Sequence, residues 1–561
     1  MLLRLAPALT LILFLLPVAA GLAGTLLPAF GWLPALGGSG FSLQAWENLF
    51  GWPGFGTALR LTVSTGLLAA ALSLLIALGL AAAAQGSRWL QRLQAALPFL
   101  LAPPHAAVAI GFAFLILPSG WLARLVSPWP SGWDRPPDLL TVQDPLGLAL
   151  VAGLVLKEVP YLLLMILAAL GQIEAPRQLI AARSLGYGRL QAWTRIILPQ
   201  LYPLIRLPVY AVLAFSLSVV DVAIILGPNT PPPLGPQILV WYTAPDLAQV
   251  FTASAGATLQ LAIVLAAILC WHGAERLVAL AARSWLVDGR RGQAADMLIP
   301  PLRALALLTA GITAMALLAL AIWSFAGRWP WPDALPAAWS LRSWLVQAPF
   351  ITDPLRNTIV IGCASAILAA LLVIACLEHE ARHGLRPSGR VLWLLYLPLL
   401  VPQTAFLFGL QVLLVRLDLD GSMLAVIWSH LVFVLPYLFL ALADPWRGFD
   451  PRYARTAASL GATPLRSFLR IKLPLLLRPL LFAAAIGFAV SVAQYLPTLF
   501  AGAGRVATLT TEAVTLSGGS DRRILGAFAL SQALLPLLVF GLAVGLPALL
   551  YRRRAGMGIS A

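Results

Sequence analysis

Apolar residues in this chain fall in unbroken runs, each long enough to cross about 30 Å of hydrocarbon, separated by short stretches rich in arginine or in Trp, Pro and Gly. Twelve such runs are predicted as helices, over residues 6–29, 57–84, 95–118, 146–170, 200–227, 250–273, 304–326, 357–377, 391–415, 423–443, 475–499 and 525–550. A continuous run such as Ala69 to Ala84 excludes an outer-membrane barrel, whose strands alternate apolar and polar residues over about ten positions. The predicted fold class is all-α, a polytopic membrane protein.

Composition agrees. Of 561 residues 60% are hydrophobic and only 10% charged, with a mean hydropathy of +0.89, whereas soluble domains carry about 25% charged residues. A net charge of +16 would suggest nucleic acid in a soluble protein. Here its distribution gives another reason. Alternate connections hold the arginines: Arg88 and Arg92; Arg177, Arg183, Arg189 and Arg195; Arg276, Arg283, Arg290 and Arg291; Arg382, Arg386 and Arg390; then Arg447 to Lys472, with Arg552, Arg553 and Arg554 in the tail. The opposite loops, Gly31 to Gly56, Trp121 to Asp144 and Pro228 to Leu247, are Trp-, Pro- and Gly-rich. By the positive-inside rule both termini are expected in the cytoplasm of a bacterium, with the chain multi-pass in the inner membrane and lipid, not nucleic acid, around it. Arg4 before an apolar run that ends in small residues also fits a cleaved signal peptide, but the run exceeds the 7 to 15 residues of a typical signal core. Cys270, Cys363 and Cys376 lie in apolar runs without CxxC spacing, so neither a disulfide framework nor a thiolate metal site is expected.

The chain repeats itself. Leu59-Arg60-x-Thr62-x-x-x-Gly66 returns as Leu355-Arg356-x-Thr358-x-x-x-Gly362; Leu97-Pro98 with Pro103 returns as Leu397-Pro398 with Pro402; Pro160-Tyr161 returns as Pro436-Tyr437. Ala181-Ala182-Arg183-Ser184-Leu185-Gly186, nine residues, then Ile196-x-Leu198-Pro199 matches Thr456-Ala457-Ala458-Ser459-Leu460-Gly461, nine residues, then Ile471-x-Leu473-Pro474. Ser218-x-x-Asp221 aligns with Ser491-x-x-Gln494. Shared order implies two six-helix halves, residues 1–275 and 304–561, joined by a cytoplasmic linker at 276–303. An even number of crossings separates equivalent markers, so the repeats are expected to be parallel.

The repeated cytoplasmic segments, about 177–199 and 452–474, each read as a short amphipathic helix, a Gly break and a second helix ending where Pro199 or Pro474 opens the next span. Their pattern, Ala-Ala-x-x-x-Gly-x9-Ile-x-Leu-Pro, resembles the coupling loop of permease subunits of type I, MetI-like ATP-binding-cassette importers. Two copies in one chain resemble the fused permeases of the iron(III) and thiamine branch. The resemblance implies a cytoplasmic ATPase dimer docked on both loops, with ATP and Mg on that partner and no cofactor on this chain, and a periplasmic solute-binding protein. It makes Ile180, Ala181, Ala182, Gly186, Ile196, Leu198 and Pro199, and Arg455, Ala457, Gly461, Ile471, Leu473 and Pro474, the expected docking residues. The family's usual leading Glu is replaced by Ile180 and Arg455. No Gly-Lys pair occurs anywhere, so this chain has no P-loop and no catalytic residue is expected on it.

Lys157 and Glu158 fall within the fourth run, where an isolated charge costs about 2.5 to 3.5 kcal/mol on insertion scales. They are read either as an interhelical structural pair or as part of the solute path. Ser218, Asp221, Ser491 and Gln494 are paired by the repeat, and in the family this helix lines the passage; His430 and His105 are further candidates. The path is expected to serve a small polar or ionic solute. An ion- or proton-coupled transporter using Lys157, Glu158 and Asp221 is the rival reading. His379-Glu380-x-x-His383 matches a zinc-protease motif, with Leu419-Asp420-Gly421 as a third ligand. A membrane's thickness is expected to separate Asp420 from the two histidines, whereas zinc ligands lie about 2 Å from one ion, so no metal is expected.

Overall fold

The computed structural model describes residues 2–385 and 389–551. It is helical almost throughout; the one hairpin among the described residues pairs Trp32–Leu33 with Gly38–Ser39. Among the described residues ten helices are long and apolar enough to cross a membrane. Two more pairs, Trp393–Leu400 with Thr404–Arg416 and Pro464–Leu475 with Leu477–Val492, pass that test together although bent by 94° and 72°, giving up to twelve crossings.

Several predicted spans are not the straight helices expected. The run 95–118 divides into Arg88–Leu101 and His105–Ile116, and 391–415 into Gly389–Leu400 and Thr404–Arg416. In each case prolines remove donors and bar the preceding residues from helical geometry, at Pro103-Pro104 and at Pro402. The run 200–227 divides into Leu198–Ser218 and Asp221–Leu226, and 475–499 into Leu477–Val492 and Leu496–Gly502. Neither break contains a proline; both fall at the repeated polar pair. The outer stretch 228–247, read as a loop, contains the buried helix Leu234–Tyr242. The helices Gln249–Val287 and Arg342–His383 extend well beyond the apolar runs 250–273 and 357–377, into the Arg-bearing connections and, for the second, back toward Arg342.

The two halves interleave. The first crossing helix, Leu2–Ala29, lies against Thr404–Arg416 from the other half, and Ile299–Phe325 lies reciprocally against His105–Ile116. Glycine sets the first contact: a Cβ on Gly24 would sit 2.7 Å from Gly409 Cα, and one on Gly21 would collide with the Phe406 carbonyl. Small residues let helix backbones approach closely where lipid offers no hydrophobic drive between helices. Leu148–Leu170 and Met423–Arg447 are the most enclosed crossings, 67% buried, against 28% for Leu2–Ala29, Ala294–Phe325 and Arg522–Leu550. The central helices are therefore those that carry Pro160-Tyr161 and Pro436-Tyr437.

Candidate docking loops and translocation path

The two repeated segments fold the same way. Ala175–Ser184 and Pro451–Ser459 end at Gly186 (φ +89°) and Gly461 (φ +80°). Gly186 N donates to Arg183 O and Tyr187 N to Ala182 O; Gly461 N donates to Ala458 O and Ala462 N to Ala457 O. This Schellman closure needs a left-handed residue, which glycine supplies without a Cβ penalty. Ala182 and Ala457 face inward and are buried, whereas Ile180, Leu185, Leu460 and Leu465 are 68%, 56%, 82% and 64% exposed. Ala181 and Arg455 are also exposed.

The second helical piece does not end at the proline as expected. Arg189–Ala192 passes through a π-helical turn, Trp193–Ile197, directly into Leu198–Ser218; Pro464–Ser467 passes through Phe468–Lys472 into Leu473–Leu475. Pro199 and Pro474 are each the second residue after the π-helical turn, at the start of Leu198–Ser218 and Leu473–Leu475. Ile196 and Leu198, with Ile471 and Leu473, lie half-buried at the foot of these helices. The two loops are anchored differently. Lys472 Nζ donates to Glu378 at 2.7 Å and lies over the Trp446 ring at 4.5 Å. Arg195 instead pairs with Asp288 at 2.5 Å and stacks on Trp285 at 4.5 Å, and the Arg195 guanidinium holds the Asp288 carboxyl below the usual carboxylate range.

Farther along the same helices lie the breaks. In the first half Ser218 Oγ donates to Ala214 O (2.7 Å), and Asp221 opens the helix Asp221–Leu226. In the second, buried His430 bridges the break, with Nδ1 2.7 Å from Ser491 Oγ and Nε2 2.8 Å from Thr498 Oγ1. Gln494 Nε2 donates to Val490 O, while its buried Oε1 has no partner among the described residues.

Lys157 donates to the carbonyls of Leu100 (3.1 Å), Leu101 (3.1 Å) and Pro103 (2.7 Å), which closes the C-terminal end of Arg88–Leu101. Its neighbour Glu158 meets His105, the first residue after that break, at 3.3 Å. Asp221 lies within electrostatic range of His105 and Tyr495, and Glu158 within range of Tyr161 and Tyr437. Glu158, His105, Asp221 and the repeat-related tyrosines thus gather where the halves meet.

The sequence reading passed over four residues that hold these breaks. Thr62 and Thr358 receive the amides of Leu234 and Leu509. Gln260 Nε2 donates to Leu217 O at 3.2 Å, and Gln532 reaches Val492 O through Thr510. The thronines stood inside the first repeat marker; a glutamine alone in each half's last apolar run was the remaining signal. The histidine motif is differently engaged. Glu380 pairs with Arg447 (2.7 Å) and Asp420 with Arg505, and among the described residues no three His, Cys, Asp or Glu side chains converge on a metal position.

No family model matches the chain. It is 37% identical over 507 residues to the inner membrane ABC transporter permease protein YnjC of Escherichia coli K12, a match that covers 89% of this chain and 90% of the relative. It is 31% identical over 211 residues to the molybdenum transport system permease protein ModB of Mycobacterium bovis, spanning 35% of this chain and 75% of that protein. A shorter match, 26% over 167 residues, is to the putrescine transport system permease protein PotI of Escherichia coli K12, spanning 28% of this chain and 59% of that protein. Similarity over nine-tenths of both chains, on an all-helical fold with up to twelve crossings, makes this protein a multi-pass inner-membrane member of the ABC transporter permease family.

Proposed function

We propose that this chain forms the whole translocation path of an importer, taking a small polar or ionic solute from a periplasmic binding protein and driven by a separate cytoplasmic ATPase dimer that holds ATP and Mg. Both termini lie in the cytoplasm in this reading, and the chain stands in for a permease dimer, as in the fused iron(III) and thiamine permeases it resembles. The observation that carries the proposal is mechanical. Each docking loop, with apolar Ile180 and Leu185 or Leu460 and Leu465 exposed, runs through a π-helical turn toward the break at Asp221 or Gln494, in the first half along the single helix Leu198–Ser218 and in the second through Leu473–Leu475 and, past a 72° bend, along Leu477–Val492. A displacement of the first loop is therefore delivered along one helix to its polar break, and a displacement of the second reaches its break across that bend. Ser218, Asp221, Ser491 and Gln494, with Glu158, line the path; Lys157 and His430 hold its walls, their polar atoms already engaged.

Co-purification of the tagged chain from its native membrane tests this. An ATPase subunit is expected, and it is lost when Gly186 and Gly461 are both replaced by bulky residues. A chain that transports without any ATPase would overturn the reading in favour of ion coupling through Glu158, His105 and Asp221.

A further inference from the structure

In the second docking loop the helix Pro464–Ser467 is capped by its own sequence: Thr463 Oγ1 accepts from Arg466 N at 3.3 Å. Counting from Gly186 and Gly461, the first loop has Gly188 at that position. The backbone is the same, φ −63° and ψ 162° against φ −65° and ψ 155°, but glycine has no side chain to offer. Helix N-termini leave amides without partners, and an N-cap side chain normally takes one.

The missing acceptor comes from the segment that joins the halves. Asp296 Oδ2 accepts from Arg189 N at 2.9 Å and Oδ1 from Leu190 N at 2.8 Å. The same segment is fastened to the loop at three further points: Gly188 N donates to Gly292 O (3.0 Å), Gln191 Nε2 to Arg290 O (2.8 Å), and Arg195 pairs with Asp288. Glycine at 188 permits this approach, since a Cβ there would lie 2.7 Å from Gly292 O and 3.0 Å from Gln293 Cα. At the equivalent position of the second loop Thr463 caps the helix with its own side chain.

We propose that Asp296 is a positioning residue for the first docking loop, the joining segment supplying from outside the cap that the second loop makes for itself. The first loop is thereby tied at its helix N-terminus to the helices Gln249–Val287 and Ile299–Phe325 that flank the joining segment, whereas the second is fastened farther along, by Lys472 to Glu378 and by Tyr551 to the Pro474 carbonyl. The two docking positions are therefore held in different ways where the ATPase would meet them. That consequence rests on the importer reading; the brace itself does not.

Amide hydrogen exchange on the purified full-length chain, without partners, separates the two. In Asp296→Ala the amides of Arg189 and Leu190 are expected to exchange about tenfold faster, the loss of one cap, with residues 463–467 unchanged. Unchanged exchange at Arg189 and Leu190 would overturn the proposal. A second comparison uses ATP-driven transport in proteoliposomes with the co-purified ATPase. Asp296→Ala is expected to lower transport, and Asp296→Asn, which keeps one acceptor oxygen for the helix N-terminus, to lower it less. Equal loss in the two variants would overturn the positioning role even if exchange rises. Faster exchange in Asp296→Ala with no ATPase recovered by the wild-type chain would instead count against the importer reading and leave the brace standing.

Discussion

Thr62 and Thr358 perform the same task in the two halves: Thr62 Oγ1 accepts from Leu234 N at 2.8 Å, and Thr358 Oγ1 accepts from Leu509 N at 2.9 Å. Each hydroxyl donates in turn to its own helix, to Ala58 O and Pro354 O. Leu234 and Leu509 each begin a short buried helix beyond a break, so one threonine ties the second crossing of each half to that helix.

Replacing Thr62 or Thr358 by valine keeps the shape and removes the acceptor. A buried amide is then left without a partner, which costs about 1–3 kcal/mol. The two variants are expected to lose similar stability in a detergent unfolding series, and the double variant close to the sum, since the sites share no partner. Valine at either site with no loss of stability would show that water replaces the hydroxyl.

What could be read beforehand follows a physical line. Leu59-Arg60-x-Thr62 and Leu355-Arg356-x-Thr358 were visible as a repeat because sequence identity survives at positions with a fixed duty. The duty was not visible, because the partners are backbone amides of helices that begin after Pro231-Pro232-Pro233 and after Thr508, and a proline-rich stretch reads as a loop. The docking glycines were legible, since only a left-handed turn demands glycine there. The breaks at Val219–Val220 and Ala493–Tyr495 were not, because no proline marks them; tertiary hydrogen bonds from Gln260 and His430 hold them open. Asp296 was invisible for the same reason: its acceptor role lies with a loop far away in sequence.

His430 spans the break in the eleventh crossing with both ring nitrogens occupied. His430→Leu strands the hydroxyl of Ser491 in a buried site and leaves Thr498 with its bond to the Gln494 carbonyl, at a cost of about 1–3 kcal/mol. The expected local consequence is loosening of the segment between them. A cysteine placed at Gln494 is expected to react faster with a maleimide when His430 is leucine. Equal labelling rates would mean that the break is held by Gln532 and Thr510 without the histidine.

Lys157 closes a helix end that a proline pair has left with free carbonyls. Lys157→Met preserves length and removes all three donors. Hydrogen bonds to charged groups contribute about 1.5–3 kcal/mol, so a loss of that order is expected in detergent unfolding. Because Glu158, beside Lys157 on the same helix, meets His105 just after that break, the disturbance is expected to reach transport as well. Full stability in the methionine variant would place Lys157 outside the architecture and return it to the list of path residues.

Gly461 allows the cleanest separation of strain from contact. Its φ of +80° disfavours any residue with a Cβ, yet nothing lies within 4 Å of the position such an atom would take. Gly461→Val therefore acts through backbone conformation alone, at about 1–3 kcal/mol for a non-glycine residue held in the left-handed region. Gly461→Asn is expected to keep most of the function, since asparagine visits that region more readily. At Gly186 a Cβ would also approach Arg291 Cδ at 3.6 Å, an ordinary contact, so the same order of substitutions is expected there. The measurement is ATPase recovered with the tagged chain for glycine, asparagine and valine at each site. Recovery that falls in that order supports the turn as the docking determinant. Equal recovery with valine would show that the ATPase grips Leu460 and Tyr453 however the loop is turned.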